Sequence, residues 1–225
     1  MPRIARIVGV QYPHHIVQRG NNREKVFLDA EDFKKYLFLL QTYSKEKEAR
    51  ILAYCLMANH IHLLIRPLAE NSLFKMMQGV ALCYTQYFNR KNGRTGRIWE
   101  CRYHSSVIDE DGYLWAVSRY IEKNPVRAKV VGRSEEYPYS SAKAHLLGKS
   151  DPLLGEQLFR KGELSDYKAF MKGVEDSMLQ EEIRRKARLG RPLGDREFSE
   201  SLLQKLGRNL TFRPRGRPRK KDKIR

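Results

Sequence analysis

Short apolar runs alternate with stretches of helical spacing through the first two thirds of the chain. Residues 12–19 read as a strand closed by Gly20-Asn21-Asn22. Asp29 is suited to cap a helix running to about residue 49, because Phe33, Tyr36, Leu37 and Leu40 recur at helical spacing. Residues 51–56 form an apolar run of strand length. Met57-Ala58-Asn59 makes a tight connection, and residues 60–66 form another strand ended by Pro67. Ser72 can open a long helix to about residue 90, with Leu73, Met76, Met77, Val80, Tyr84, Tyr87 and Phe88 on its apolar side. A polar loop at 91–96 carries two glycines. A strand over 103–108 follows, then a helix over 112–124 capped by Asp109 or Asp111 and limited by Pro125.

The order βαββαβ followed by a helix predicts an α+β fold, a ferredoxin-like split βαβ sheet with two helices on one face. The other face is left for a substrate or an extra helix. Beyond about residue 148 the character changes. A charged, weakly amphipathic helical stretch is expected over 165–189, then the turn Gly190-Arg191-Pro192-Leu193-Gly194 and a helix over 195–206. Two helices joined by a short turn form either a DNA-reading helix-turn-helix or a hairpin packed on the body. The expected organisation is therefore a core domain over 1–148, a helical extension over 149–207 and a basic tail over 208–225.

Charge directs the reading toward nucleic acid. The net charge is +18 and the pI about 9.9, which calls for a polyanionic partner. The tail holds nine lysines and arginines against the single Asp222. Hydrophobic residues make up 41%, enough to build a core. Cys55, Cys83 and Cys101 form no CxxC pair and read as free thiols suited to a reducing cytosol. No signal peptide and no membrane-length apolar run is visible, so a cytoplasmic, nucleoid-associated location in a bacterium and no membrane partner are expected.

His60-Ile61-His62 is the sharpest local pattern. On a strand, positions i and i+2 point to one face, so both imidazoles project together while Ile61, Leu63 and Ile65 enter the packed face. Such a pair either holds one divalent metal or simply hydrogen-bonds at a sheet edge. Tyr120 and Asn124, four apart on the last helix of the core, share a helix face. They offer a hydroxyl and an amide oxygen, or else a core ring and a helix-terminal Asn.

Four stretches, in order, resemble the single-tyrosine HUH transposases, and among these the REP-associated tyrosine transposases. They are Val17-Gln18-Arg19-Gly20-Asn21, Met57-Ala58-Asn59-His60-Ile61-His62-Leu63-Leu64, Gly96-Arg97-Ile98-Trp99 and Tyr120-Ile121-Glu122-Lys123-Asn124-Pro125-Val126-Arg127-Ala128. The resemblance implies that His60 and His62 are the metal-binding histidines, Asn124 the third ligand and Tyr120 the catalytic nucleophile. It also implies Mg2+ or Mn2+ as cofactor, a ferredoxin-like fold, and hairpin-bearing repetitive DNA as substrate. The expected activity is metal-dependent cleavage and transfer of single-stranded DNA through a 5′-phosphotyrosine. On ligand chemistry alone zinc stays open.

The expected DNA contacts are Arg19, Asn21, Asn22 and Arg23 after the first strand, Arg97, Trp99 and Arg102 around the third matching stretch, and Arg127. Trp99 either stacks on bases or anchors the core. In the tail, Arg215 and Arg217 lie in an Arg-Gly-Arg-Pro run that suits the A·T minor groove, as an AT-hook does, or any phosphate backbone. Three rival readings stand beside this one. They are a non-catalytic nucleic-acid-binding sheet, a replication or conjugation initiator with Tyr113 as second tyrosine, and a degenerate transposase acting as a DNA-binding regulator. Monomer and homodimer are both open, as is the general base for Tyr120.

Overall fold

The computed structural model describes residues 6–160 and 162–207. Strand β1 is His14–Arg19, helix α1 Ala30–Glu46, β2 Ala49–Met57, β3 His60–Pro67, α2 Ser72–Lys91, β4 His104–Val107 and α3 Glu110–Glu122. The four strands form one sheet in the order β2-β3-β1-β4 with antiparallel neighbours. This is the ferredoxin-like arrangement that the βαββαβ order predicts.

The strand alternation sorts the core into two layers. Ile16, Ile61, Leu63 and Ile65 face α1 and α2, where they meet Tyr36, Leu40, Met76, Val80 and Tyr84. Ala53, Cys55, Met57 and Leu64 face the other way, onto Val117, Tyr120 and Ile121 of α3. Helix α1 begins where expected, since the Asp29 carboxylate accepts from the backbone N–H groups of Glu31 and Asp32. It stops at Glu46, earlier than its apolar spacing suggests. Glu48 turns left-handed, and Ala49 must already pair with Pro67. Ser72 lies inside α2, with Asn71 at the cap position; its hydroxyl reaches back to accept from Ala69 N.

The chain becomes helical again directly after α3, in α4, Asn124–Arg127. Pro125 sits in the first turn there, where its missing N–H costs nothing. Helix α5 is Ala142–Leu147. The charged stretch expected as one helical run is two helices, α6 (Leu164–Lys172) and α7 (Ser177–Leu189). Gly173 is extended and ends the first, and the Asp176 side chain caps the second. Helix α8 is Arg196–Lys205.

The second face of the sheet is largely covered. Leu158, Tyr167, Met171, Ile183 and Leu193 all belong to the buried layer that contains Tyr120. The α7–α8 linker extends the sheet edge, with Leu193 N donating to Val107 O and Asp109 N donating to Leu193 O, both at 2.8 Å. The extension thus packs on the body rather than projecting from it. The basic tail with Arg215 and Arg217 lies outside the described residues.

A buried carboxylate locks these parts together. Glu122, fully buried at the end of α3, accepts from Ser141 Oγ at 2.5 Å, His145 Nδ1 at 2.6 Å and Tyr167 OH at 2.9 Å. The helix that carries Tyr120 is thereby tied to α5 and α6.

Candidate functional site

The site is assembled on the face of the sheet opposite α1 and α2. His62 lies across from Val17 on β1 and Cys55 on β2, and His60 lies across from Arg19 and Met57. The two imidazole centroids are 5.1 Å apart. Tyr120 reaches this face from α3, its ring edge-on to His62 with centroids 5.6 Å apart. The helix brings Tyr120 here because Val117 and Ile121, on the same side, are buried against the sheet.

Both histidines have one nitrogen committed within the protein. His60 Nδ1 meets Asn59 Oδ1 at 2.6 Å, and His62 Nδ1 meets His15 Nε2 at 2.9 Å. Burial, aided by Arg19, pushes the His60 imidazole down to about 4. Burial, aided by His60 and His15, holds His62 well below its ordinary value. Both rings are therefore neutral at physiological pH, the state in which imidazole binds metals.

Asn124 follows Tyr120 by one turn. Its Nδ2 donates to Tyr120 O at 3.0 Å and Ile121 O at 3.2 Å, which leaves the amide oxygen for another partner. No hydrogen bond links Asn124 to His60 or His62. Among the described residues no group of three or more His, Cys, Asp or Glu is placed to hold a metal. A cation here would use the two imidazoles and an amide oxygen, completed by water or phosphate. Neutral nitrogens with their second ring atoms already bonded fit that role.

Two arginines surround the phenol. The Arg127 guanidinium lies 4.5 Å from the centroid of the Tyr120 ring, donates to the Tyr120 carbonyl, and pairs with Glu175 at 3.1 Å. Arg184 of α7 interacts with the Tyr120 side chain, and that hydrogen bond is the chief cause raising the guanidinium above its ordinary value. Tyr120 is only 6% exposed, whereas the Arg184 side chain is 60% exposed. The second tyrosine considered, Tyr113, makes no ring contact with the histidines.

Most of the other expected DNA contacts gather at the His60 end of the sheet. Gly20 N donates to Asn59 O, Asn21 N to Ile98 O, and Glu100 N to Arg19 O. These bonds join the loops carrying Arg19–Arg23 and Arg97–Arg102. Arg19, Asn22, Arg23, Arg97 and Arg102 are exposed there, and Asn21 is partly so. Trp99 is different. It is 7% exposed, with ring centroids 6.0 Å from Tyr36 and 6.1 Å from Tyr84. Of its two readings the core anchor holds, and the ring offers no face to a base.

Sequence reasoning missed His15 and Arg184. His15 shares the strand parity of Val17 and Arg19, but only the β1–β3 register reveals that this is the histidine face. Arg184 stands in a run of basic residues with nothing local to single it out.

A ferredoxin-like sheet that sets two neutral imidazoles beside a helix-borne tyrosine, at a margin rich in arginine, defines a protein built to handle polynucleotides. Residues 10–124 match the model of the IS200-like transposases, and the chain belongs to that family of DNA-processing enzymes. Among solved structures, a REP-associated tyrosine transposase bound to a REP hairpin superposes with a TM-score of 0.55 at 14% identity. That match covers 72% of this chain and 96% of the other. At that identity the likeness speaks for the fold. A protein from Deinococcus radiodurans R1 proposed to be a transposase aligns at 16% identity over 57% of this chain and 92% of its own, with a TM-score of 0.36 that carries no weight. No curated protein matches the sequence. No described helix is long and apolar enough to cross a membrane.

Proposed function

We propose that this chain cleaves and rejoins single-stranded DNA at hairpin-forming repeats, with Tyr120 as nucleophile and His60, His62 and Asn124 as ligands of Mg2+ or Mn2+. The observation that carries the reading is the contact between the Tyr120 and His62 rings within one chain. The hairpin substrate is suggested by the REP-associated neighbour, whose structure contains a REP hairpin.

The bound cation would neutralise the phosphate oxygens and make the phosphorus open to attack. The phenolic oxygen of Tyr120 forms a bond to phosphorus while the bond to the 3′-oxygen breaks. That oxygen takes up a proton and leaves as a 3′-OH, and the 5′-phosphate stays on the tyrosine. Reversal by another 3′-OH rejoins a strand without an external energy source. Tyrosine ordinarily ionises near about 10, so its oxygen needs help to lose its proton. Arg127 and Arg184 supply positive charge where negative charge passes from phenol to phosphate. They also stand over a nucleophile that is nearly inaccessible, so an incoming phosphate must draw these guanidinium groups onto itself. Arg19, Asn21, Asn22, Arg23, Arg97 and Arg102 form the adjoining margin for the strand.

Incubation with a hairpin oligonucleotide and Mn2+, followed by denaturing electrophoresis, tests this. A covalent protein–DNA band is expected, absent in Tyr120→Phe. Failure to form any band across metals and hairpins, or a band that survives in Tyr120→Phe, would refute it.

A further inference from the structure

Three buried rings form a continuous group in which only two have an assigned part. His15, on β1, is 1% exposed. Its ring stacks on His62 with centroids 5.2 Å apart and planes 17° apart, and it meets Tyr120 edge-on at 5.8 Å. His15 Nε2 is 2.9 Å from His62 Nδ1, while His15 Nδ1 is buried with no hydrogen-bond partner.

A neutral imidazole has one N–H, so only one proton can lie between Nε2 of His15 and Nδ1 of His62. Both rings are buried, where an uncompensated charge is disfavoured, and each is taken in its neutral form. Two arrangements follow. If His15 supplies the shared proton, the other nitrogen must carry the proton-free lone pair on His15, and His62 keeps its proton on Nε2. His62 then has no lone pair for a cation. If His62 supplies the proton, its Nε2 is bare, and His15 accepts while carrying its own proton on Nδ1. That Nδ1–H is then buried and unsatisfied.

We infer that His15 is a positioning residue for the cation site, accepting the Nδ1–H of His62 so that His62 Nε2 is left bare toward the cation and fixed in orientation beside Tyr120. This rests on the metal-site reading above. The unsatisfied Nδ1 of His15 has a consequence. It stays unpartnered in both arrangements, as an acceptor in one and a donor in the other, so the cation that takes up the His62 Nε2 lone pair selects the ligand-ready one. Outer partners of metal-binding histidines commonly govern affinity by about 10- to 100-fold.

The test is Mn2+ binding without DNA, followed by electron paramagnetic resonance on the full chain, in wild type, His15→Phe, His15→Gln and His60→Ala. Phe keeps the ring and its packing but has no acceptor. Gln places an amide oxygen near the position of Nε2. His15→Phe is expected to weaken Mn2+ binding by about 10- to 100-fold, with metal-free hairpin binding unchanged, and His15→Gln to restore most of the loss. Wild-type Mn2+ affinity in His15→Phe, or an equal loss in His15→Gln, would overturn the inference while leaving the site intact. Wild-type protein that binds no Mn2+, or binds it equally in His60→Ala, would remove the site reading and this inference together. Should His15→Phe not fold, histidine 15N NMR of the wild type with Mg2+ decides. Protons on Nδ1 of both His15 and His62 support the inference, and a proton on His62 Nε2 defeats it.

Discussion

Replacing Glu122 by Ala removes the buried carboxylate that joins the helix of Tyr120 to the extension. Its three donors do not suffer equally. Tyr167 OH keeps Ser118 Oγ at 2.9 Å as a partner, and Ser141 Oγ can turn fully to Tyr54 O, now at 3.4 Å. His145 has no such alternative. Its Nε2 is already unpartnered, so without Glu122 its ring keeps no hydrogen bond at all. A hydrogen bond to a charged group contributes about 1.5–3 kcal/mol, and an orphaned buried donor costs about 1–3 kcal/mol. Removal of the desolvation penalty of the carboxylate itself works in the opposite direction. A net loss of about 3 kcal/mol is expected. For a chain of this size each kcal/mol lowers Tm by about 2–4 °C, so Tm should fall by about 6–12 °C. Glu122→Gln, which keeps an acceptor in place, should lose about 1 kcal/mol. Urea unfolding followed by circular dichroism measures both. Glu122→Ala unfolding within about 0.5 kcal/mol of wild type, the range of ordinary surface substitutions, would refute the reasoning.

Acid should unfold the protein at pH values where most carboxylates are still ionised. His14 Nδ1 meets Tyr12 O at 2.7 Å and its Nε2 accepts from Gly9 N at 3.2 Å, so the folded state needs the neutral ring, and burial pushes it down to about 4. Above about 6.5 the ring is neutral folded or unfolded. Between there and about 4 only the unfolded chain takes the proton, so stability falls with pH by about 1.4 kcal/mol per unit for this histidine, and His15 and His60 add to it. A Tm unchanged from pH 7 to pH 5 would contradict this. Gly79→Ala places a methyl 2.3 Å from Tyr43 Cε1, where α1 and α2 approach, and should cost about 1–3 kcal/mol in urea unfolding. An unchanged midpoint would mean the helices are farther apart. Arg19→Ala and Arg102→Ala should each weaken hairpin binding and reduce the slope of log affinity against log salt by about 0.7. An unaltered slope would place the strand elsewhere.

The parts of this protein legible in its sequence are those whose causes lie within a few residues. Alternation over His60–Arg66 puts the two imidazoles on one face and Ile61, Leu63 and Ile65 on the other, and both sets lie there. Asp29 begins its helix because a carboxylate satisfies N–H groups two and three residues ahead. What could not be read depends on register and on packing across long separations. His15 is 47 positions from His62, and no local pattern states that β1 lies against β3 with Val17 opposite His62. The extension is harder still. Helix α7 buries only Ile183 and Ala187 among charged neighbours, too thin an apolar stripe to announce that it closes the face bearing Tyr120. Its hold comes instead from a turn that adds to the edge of β4 through Leu193, and from Glu175 meeting Arg127. Those contacts make Arg184 a neighbour of a tyrosine 64 positions away. The histidine pair is therefore a property of one strand, whereas the surroundings of Tyr120 are a property of the whole chain. A fragment ending at the family match would keep the imidazoles and lose both cations beside the phenol, Arg127 and Arg184.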